Sequence, residues 1–563
     1  KLDGREIPFE PGDTIIRAAW RQGIEIPHYC WHPGLSVAAN CRMCLVEIKA
    51  ERPMMMPTLK WDAAKNEYVP ADKPKLTPAC QAPAVAGQEV FAKSSEAKNA
   101  QSHVQEFLLL NHPVDCPICD QAGECKLQDY WLTSQAKGKR KRTEPVHKPK
   151  AVRFGPTIVY DAERCVMCTR CVRFCDEVAH DHVLDMRERG NKNEITVSPG
   201  RELNHRYTLM TEHVCPVGAL TSKDFRFKAR VWFLRTAKSV CNGCATGCND
   251  YLDFDPRHNR VYRIRPRDNE AVNKFWMCDD GMLTYHAIHE NRITRGCVRN
   301  GETKTPTPAE TIALAAANLG RANQAKVAVV FSAQFSSEDN LVLARFARDV
   351  LGTDKFYLGA LGGWEGDNIL RHEDNNPNRA GALAAAGGKV GSLADLLADA
   401  GSGQVEGFIA LGGPVVETGS ALTGLRSLKT SITLASNHGP LEEIAKLVVP
   451  VTTHAEMDGT FVNAKGMAQR FQRAVRAPDG VKPAWQVLIE LAHLSNKPLA
   501  LKDLNEVMSK VLAGGDRMKK ASLGGVKTAA EMLNLMGSAV ETSVLDFVRE
   551  NDNHLAQKIM DNM

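Results

Sequence analysis

The sequence has no cysteine after Cys297, although the chain continues to residue 563. It also has no run of 18 consecutive apolar residues, which excludes an ordinary transmembrane helix. No G-x-G-x-x-G, no P-loop and no motif with a nucleophile or general base is present, so the sequence indicates no flavin or nicotinamide site of its own. A signal peptide is not evident and the cysteine count is odd, which argues against a framework of disulfides.

What the chain contains is typical of a folded protein with several domains. Hydrophobic residues make up 43% and charged residues 24% of its 563 residues, which leave room for roughly four domains. The most basic stretch, AKGKRKRTEPVHKPK at 136–150, has no interleaved aromatic residue and no nucleic-acid motif. We therefore interpret it as a linker that faces another subunit.

Fifteen of the seventeen cysteines, together with His112, form four sets of four residues. Thiolate sulfur is the ligand that iron–sulfur clusters use, and each cluster needs four protein donors. In chain order, the first to fourth sets are Cys30, Cys41, Cys44, Cys80; His112, Cys116, Cys119, Cys125; Cys165, Cys168, Cys171, Cys215; and Cys241, Cys244, Cys248, Cys278. Clusters imply a reducing, cytosolic type of compartment.

The first set is a C-x10-C-x2-C run closed by a distant cysteine. It follows a segment in which an apolar strand is expected to give way, at PGDT, to a short amphipathic helix with Thr14 as N-cap and Gly23 as its stop. This pattern is similar to a plant-type ferredoxin domain with a 2Fe-2S cluster, although the first gap is wider than usual.

The second set contains a histidine in place of one thiolate, which predicts a 4Fe-4S cluster with an altered redox potential. Alternatively, His112 only caps a loop beside three structural cysteines. Three cysteines leave one of four positions empty, which favours His112 as a ligand. His103, further back on the same helical pattern, is interpreted as a packing or surface residue.

The third set has the C-x2-C-x2-C run and the remote Cys-Pro of a ferredoxin 4Fe-4S cluster. In a two-cluster ferredoxin Cys175 would bind a second cluster, but the partner run is missing, so a buried or idle thiol is predicted. Three arginines in this run, Arg164, Arg170 and Arg173, could offset cluster charge, or could simply form a solvated face.

The fourth set reads C-x2-C-x3-C with a closing cysteine about thirty residues further on, and resembles the 4Fe-4S domain at the entrance of molybdopterin oxidoreductases. Cys297 has no partner in this pattern and is interpreted as structural. Zinc sites usually show paired C-x2-C hairpins, whereas three of these runs have three close donors and one remote donor, which favours clusters.

Beyond Cys297, apolar runs alternate with helical patterns. The runs AKVAVVFSA, VEGFIALGG, TSITLAS and KLVVPVT predict parallel strands, and SSEDNLVLARFARDVLG predicts a helix capped by Ser336 or Ser337. Gly412 and Gly413 are interpreted as tight-turn residues rather than as part of a nucleotide pocket. From about residue 483, amphipathic helices are expected to form a packing or docking tail.

The order of these sites closely resembles the large iron–sulfur subunit of respiratory complex I, the NADH:quinone oxidoreductase. The resemblance depends on C-x10-C-x2-C at 30–44, NHPVDCPICDQAGEC at 111–125, RCVMCTRCVRFC at 164–175 and CNGCATGC at 241–248, and more weakly on 456–475. The wide first gap is a feature of that family. Family members are commonly longer, so the C-terminal domain is expected to be trimmed.

The resemblance implies a multidomain α+β and α/β protein. The predicted domains are a β-grasp 2Fe-2S ferredoxin domain (1–90), a His-ligated 4Fe-4S segment (91–135), the basic linker (136–150), a 4Fe-4S ferredoxin-like domain (151–230), a molybdopterin-oxidoreductase-type 4Fe-4S domain (231–298), a degenerate molybdopterin-oxidoreductase-like α/β domain (299–495) and a helical tail (496–563).

The resemblance also implies an electron relay in a proton-translocating enzyme complex, with one 2Fe-2S cluster, three 4Fe-4S clusters, no molybdenum and no flavin on this chain. Its expected partners are the NADH/FMN-binding subunit and the quinone-site iron–sulfur subunits, on the cytoplasmic side of a bacterial inner membrane. The complete fourth set suggests a bacterial form, because mitochondrial members have lost it.

Two enzyme classes and a scaffold remain as alternatives. An NAD-linked formate dehydrogenase would carry a lysine after the closing cysteine of the fourth set, where this chain has Asp279, and would need a later cysteine for molybdenum. An iron–iron hydrogenase would need further cysteines after Cys297. In a non-catalytic scaffold the clusters would be purely structural, and the sequence leaves that role open for the fourth cluster.

Overall fold

A computed structural model of the protein describes residues 1–49, 59–70, 76–134, 140, 144–300 and 302–499. The predicted tail at 496–563 lies outside these residues apart from its first four positions, and part of the predicted basic linker lies outside them too. Among the described residues, no helix is long and apolar enough to cross a membrane. The predicted domain boundaries stay predictions.

The described part of the first 134 residues contains a small antiparallel sheet, a hairpin and three α-helices. Its elements are α1 (Ile15–Arg21), β1 (Leu45–Lys49), β2 (Leu59–Asp62), β3 (Glu67–Pro70), β4 (Thr77–Pro78), β5 (Glu89–Phe91), α2 (Ser95–Leu109) and α3 (Lys126–Ser134). Strand β1 lies between β4 and β5, and β2 pairs with β3.

Helix α1 begins and ends as predicted. The Thr14 side chain accepts a hydrogen bond from the Arg17 N–H at 3.4 Å, and Gly23 adopts φ +68°, a left-handed conformation that glycine takes without strain. The strand expected before PGDT is wrong: within residues 1–14, all described, Leu2 and Thr14 make only isolated bridges. The apolar side chains of that segment do not alternate between two faces, and Phe9 stays 40% exposed.

The next region carries two small antiparallel sheets and two helices. Its elements are β6 (Val152–Arg153), β7 (Ile158–Tyr160), α4 (Arg170–Glu177), β8 (Leu184–Arg187), β9 (Glu194–Val197), α5 (Leu209–Val214) and β10 (Leu220–Ser222). The first sheet has the order β10-β7-β6, and β8 pairs with β9. A separate antiparallel sheet follows, made of β11 (Arg235–Val240), β12 (Asn249–Asp255) and β13 (Arg260–Pro266), with the short helix α6 (Asp279–Leu283) after it.

The last described region is a seven-stranded sheet with helices on both faces. Its elements are β14 (Cys297–Asn300), β15 (Glu302–Lys304), α7 (Pro308–Arg321), β16 (Val327–Ser332), α8 (Ser337–Arg345), β17 (Phe356–Gly359), α9 (Arg379–Ala386), α10 (Leu393–Gly401), β18 (Gly407–Leu411), β19 (Thr430–Ala435), α11 (Pro440–Ile444), β20 (Leu447–Pro450), β21 (Gly459–Val462), β22 (Ala468–Phe471) and α12 (Ala484–Leu494). A π-helical segment, Phe346–Leu351, continues α8. Short 3₁₀ segments of the whole described chain are Cys116–Ile118, Gly190–Lys192, Val231–Phe233, Thr284–Ile288, Gln324–Lys326, Ala421–Ser427 and His454–Glu456.

The sheet has the order β15-β14-β20-β19-β18-β16-β17, and its strands from β20 to β17 are parallel. All residues of β16, β18, β19 and β20 are buried, as expected for parallel strands covered on both faces. Strand β17 lies on one side of β16, and β18 lies on its other side. The direction in which successive strands are added to the sheet therefore reverses between β16 and β18. The predicted parallel sheet, the Ser336 cap of α8 and the mixed α/β fold class are confirmed.

A single hydrophobic core joins the regions that carry the cysteines. It contains buried members of all four sets, namely Cys30, Cys125, Cys168, Cys171, Cys241, Cys248 and Cys278. Separate cores fill the first sheet and the two faces of the seven-stranded sheet. The cysteine-bearing regions are therefore packed against one another.

Candidate iron–sulfur sites

The first set is brought together by the pairing of β1 with β4. Leu45 lies opposite Pro78, which places Cys44, just before β1, beside Cys80, just after β4. Thiol hydrogen bonds join Cys44 to Cys80 and Cys30 to Cys41. The bond from Cys41 lowers the pKa of Cys30 to about 5, whereas the bond to Cys80 and burial raise the pKa of Cys44.

The second set lies around the turn between α2 and α3. Cys116 opens a 3₁₀ turn, the N–H of Cys119 donates to its carbonyl at 3.1 Å, and Cys125 directly precedes α3. Burial, followed by the charges of Cys119 and Cys116, raises the pKa of Cys125 to about 11, which indicates that the three thiols are neighbours.

His112 lies in the segment between α2 and Cys116. Its ring atom Nδ1 is buried and has no hydrogen-bond partner among the described residues. Burial lowers the pKa of His112 to about 4, so the imidazole is neutral at pH 7, the form that binds metal. Both His112 and Cys119 lie within electrostatic reach of Arg164. No hydrogen bond in the described part of the chain joins His112 to the cysteines.

The four cysteines of the third set line one small cavity, with Tyr160, Ile195 and Leu220 on its walls. Cys165 and Cys168 come from the loop that leads into α4, where Met167 and Thr169 adopt φ +51° and φ +61°. Cys171 lies in the first turn of α4, and Cys215 comes from the end of α5. Burial is the main cause that raises the pKa of Cys165, Cys168 and Cys215 to about 11. Metal binding at such thiols must release protons.

The four cysteines of the fourth set also line one small cavity. The N–H groups of Gly243 and Gly281 donate to Cys241 Sγ at 3.3 Å and to Cys278 Sγ at 3.4 Å. A methyl group on Gly281 would lie 3.1 Å from Cys241 Sγ and 3.4 Å from Cys278 Sγ, so these two sulfurs flank one backbone position. Only a small residue suits that position.

Enclosed cavities walled by four thiols fit the iron–sulfur clusters expected at the third and fourth sets, because such clusters take four thiolate ligands. Backbone N–H groups that donate to the sulfurs are a further feature of such sites, since they stabilise negative charge. No group of three or more His, Cys, Asp or Glu side chains in the described ranges is arranged to hold a single metal ion.

The second and third sets are neighbours through the loop after Cys215. A methyl group on Gly218 would lie 2.3 Å from Cys119 Sγ, which is far closer than carbon and sulfur can approach. In addition, the N–H of Lys126, next to Cys125, donates to the carbonyl of Pro216 at 3.0 Å. These two contacts show that the second and third sets are packed against each other. The spacing of the cysteines in the sequence did not predict this.

Two of the three arginines near the third set are buried, so the alternative of a solvated face is wrong for Arg164 and Arg170. Arg164 and Arg170 are 4% and 8% exposed. Arg164 pairs with Asp115 at 2.7 Å, and Arg170 donates to the carbonyl oxygens of Val214 and Trp31. These cations therefore lie inside the protein, where they can balance the charge of bound clusters.

Of the two cysteines outside the sets, Cys175 is buried as predicted, and the structural role of Cys297 stays a prediction. Cys175 is fully buried, with Sγ 3.5 Å from His205 Nε2, and it does not line the cavity of the third set. Cys297 is the first residue of β14 and pairs with Val448. His103 is exposed on α2, so it is a surface residue.

Family models match five consecutive regions of the chain. They are described as a 2Fe-2S iron–sulfur cluster binding domain (1–95), the NADH-ubiquinone oxidoreductase-G iron–sulfur binding region (101–140), the NADH-quinone oxidoreductase subunit 3 ferredoxin-like domain (155–221), a molybdopterin oxidoreductase Fe4S4 domain (234–290) and molybdopterin oxidoreductase (314–494). Fold and sites thus define an iron–sulfur protein of several domains, one of which, at 314–494, is similar to molybdopterin oxidoreductase.

Curated relatives are large subunits of one enzyme complex. The G subunit of NADH-quinone oxidoreductase from Streptomyces coelicolor is 35% identical over 362 residues, covering 63% of this chain and 40% of its own. The 75 kDa subunit of NADH-ubiquinone oxidoreductase from Reclinomonas americana is 34% identical over 359 residues, covering 63% of this chain and 48% of its own. The chain is similar to these NADH-quinone and NADH-ubiquinone oxidoreductase subunits, and it spans about half the length of these relatives or less.

One solved structure also matches, with a low structural similarity. A chain of an NAD⁺-reducing [NiFe]-hydrogenase in the H₂-reduced state aligns with 41% of this chain and 89% of its own, at 25% identity and a TM-score of 0.33. A similarity of that size carries no argument about function.

Proposed function

We propose that this chain is the electron-relay subunit of an NADH:quinone oxidoreductase, and that it passes electrons from a flavin subunit toward quinone-site subunits. The observation that carries the proposal is the shared hydrophobic core, which holds cysteines of all four sets in one packed body. A chain that carries electrons needs its redox centres close together and shielded from water, and this packing supplies both.

The proposed ligands follow the four sets. Cys30, Cys41, Cys44 and Cys80 would hold a 2Fe-2S cluster, and the second, third and fourth sets would each hold a 4Fe-4S cluster, with His112 as the imidazole ligand of the second. When bound, such clusters accept and release single electrons. The protein sets their potentials through ligand identity, hydrogen bonds to sulfur and burial.

The chain's own residues hold these sites in position. Gly243 and Gly281 donate N–H groups to sulfurs of the fourth set, and Arg173 donates to the carbonyl oxygens of Cys30 and Cys168, one from the first set and one from the third. Chemistry with NADH and with quinone is assigned to partner subunits of the complex. We place the chain at the cytoplasmic side of a bacterial inner membrane, as a peripheral subunit.

The alternative of a molybdenum enzyme such as a formate dehydrogenase is less well supported. The residue after Cys278 is Asp279, whose carboxylate accepts hydrogen bonds from the N–H groups of Thr208 at 2.9 Å and Leu209 at 2.8 Å. That position therefore anchors α5, whereas the enzyme class requires a lysine there. We propose that the C-terminal domain carries no molybdenum.

Redox titration with electron paramagnetic resonance on the anaerobically purified complex tests the relay. The proposal predicts one 2Fe-2S signal and three 4Fe-4S signals, each removed in turn by replacing one cysteine of its set with alanine, and slower NADH-dependent quinone reduction when the first, second or third signal is lost. Full quinone reduction in complexes that lack the third signal would contradict the relay role.

A further inference from the structure

A pair of charged side chains joins the loops that carry the second and third sets. Arg164, next to Cys165 of the third set, is 4% exposed, and its guanidinium donates a hydrogen bond of 2.7 Å to the carboxylate of Asp115. Asp115 directly precedes Cys116 of the second set, so the pair connects two loops that are 49 residues apart in sequence. Because a buried charge is costly without an opposite charge beside it, each member of the pair fixes the other at this boundary.

The end of the basic stretch lies across the same boundary. The Nζ atom of Lys150 lies 2.7 Å from the carboxylate of Glu163 and 3.4 Å from that of Asp115. The N–H of Val146 donates to the side-chain oxygen of Asn111 at 3.1 Å, directly before His112. This end of the basic stretch therefore brings a second cation to Asp115.

All three charges lie close to proposed ligands of the second set. Burial is the largest influence on the pKa of His112, which it lowers, and on the pKa of Cys119, which it raises. The negative charge of Asp115 raises both of these pKa values, and the positive charge of Arg164 lowers both. Lys150 lowers the pKa of His112 as well. Arg164 is therefore a neighbour of the second set, although the motif that contains it belongs to the third.

A charge fixed near an iron–sulfur cluster changes the reduction potential of that cluster. Reduction adds one negative charge, so a nearby cation favours the reduced state and a nearby carboxylate disfavours it. Both effects are larger where the charge is buried, because water and salt screen it less. The side chain of Arg164 is buried, whereas that of Lys150 is 41% exposed.

We propose that Arg164, Asp115 and Lys150 together set the reduction potential of the second cluster, which the two cations raise and the carboxylate lowers. The three side chains act through their charge and are not among the proposed ligands. This inference rests on the proposed function, because it requires a cluster bound by the second set. It assigns to the second site one residue that cysteine spacing places in the third.

Redox titration of the anaerobically purified full chain, followed by electron paramagnetic resonance, tests the proposal. Arg164→Gln removes a cation and should lower the midpoint potential of the second cluster. Asp115→Asn removes a carboxylate with little change of shape and should raise that potential. Arg164→Lys keeps the positive charge and should titrate close to wild type. A change in packing alone would not follow the sign of the removed charge.

A lysine pair provides a matched control. Lys150→Gln should lower the potential less than Arg164→Gln does, because the lysine side chain is more exposed. Lys482 is exposed to a similar extent, 43%, and pairs with Glu490 at 2.6 Å, but it lies just before α12 in the C-terminal domain. Lys482→Gln should therefore leave the titration of the second cluster unchanged.

The outcomes separate this inference from the proposed function. Absence of a second-set signal in the wild-type chain would overturn the proposed ligands and this inference with them. A signal whose potential is unchanged in Arg164→Gln and Asp115→Asn, or shifts in one direction in both, would overturn the inference alone. Equal shifts in Arg164→Lys and Arg164→Gln would do the same, because charge would then not be the cause. If Arg164→Gln does not retain the cluster, opposite shifts in Asp115→Asn and Lys150→Gln support the inference, and shifts in one direction overturn it.

Discussion

The guanidinium of Arg173 donates a hydrogen bond of 2.6 Å to the carbonyl oxygen of Cys30, across 143 residues of sequence. The same side chain donates to the carbonyl of Cys168 at 3.1 Å and to that of Ser36. One arginine therefore connects a cysteine of the first set with one of the third. Its hydrogen bonds hold the backbones of two proposed redox sites together, and its positive charge lies beside both.

Replacing Arg173 by methionine should loosen this connection. The variant loses charge-assisted hydrogen bonds to three carbonyl groups, so we expect destabilisation of about 2 kcal/mol and a shifted resonance signal from the cluster of the first set. Thermal unfolding and electron paramagnetic resonance measure the two effects. Arg235→Met is the control, since Arg235 is exposed on β11; equal effects of both substitutions would show that Arg173 has no special role.

Replacing His112 by cysteine should keep the second cluster and change its potential. A fourth thiolate adds negative charge, which favours the oxidised state, so the midpoint potential should fall. A redox titration followed by electron paramagnetic resonance checks this. His103→Cys introduces a thiol on the exposed face of α2 and should leave the titration unchanged. An unaltered titration of the His112 variant would remove His112 from the proposed ligands.

Replacing Gly218 by alanine should disrupt the second site. The new methyl group would lie 2.3 Å from Cys119 Sγ, so the sulfur or the loop after Cys215 must move. We expect a loss of about four iron atoms per chain, measured by iron analysis. The control is Gly320→Ala in α7, where the added methyl group meets nothing within 4 Å. Full iron content in the Gly218 variant would contradict the described packing of the two sites.

Lowering the pH should destabilise the C-terminal domain through His454. Burial lowers the pKa of His454 to about 4 from its usual 6.5. Its folded-state pKa lies below the unfolded one, so the neutral ring's contribution is present above pH 6.5 and is lost as the pH falls toward 4. The free energy of unfolding should fall by about 3 kcal/mol over this range, because each pKa unit corresponds to about 1.4 kcal/mol.

Denaturant titrations of wild-type chain and His454→Phe at several pH values measure this effect. The phenylalanine variant keeps the aromatic contacts with Phe461 and Phe471 but cannot titrate, so its stability should fall less steeply between pH 6.5 and 4. His103→Phe replaces an exposed histidine and should reproduce the wild-type slope. Parallel curves for wild type and the His454 variant would show that another group causes the acid sensitivity.

Strands and helix starts whose signal lies in a few neighbouring residues were predictable from the sequence. The fully apolar run of β16 predicts a buried parallel strand, and Ser336 with Asp339 predicts the start of α8. The short strand β17 was not predicted, because four residues are too few to show a periodic pattern of apolar side chains. The hydrogen bonds of Arg170 and Arg173 could not be predicted either, because their carbonyl partners at Trp31 and Cys30 are distant in sequence. Similarly, the contact of Gly218 with Cys119 exists only in the folded chain.

Iron, acid-labile sulfide and molybdenum content of the anaerobically purified chain is the most direct test of the electron-relay account. The account predicts about fourteen iron atoms and an equal amount of sulfide per chain, from one 2Fe-2S and three 4Fe-4S clusters, with no molybdenum. Stoichiometric molybdenum would contradict the account and favour a formate-dehydrogenase type of enzyme. About ten iron atoms would mean that one of the three proposed 4Fe-4S sites holds no cluster.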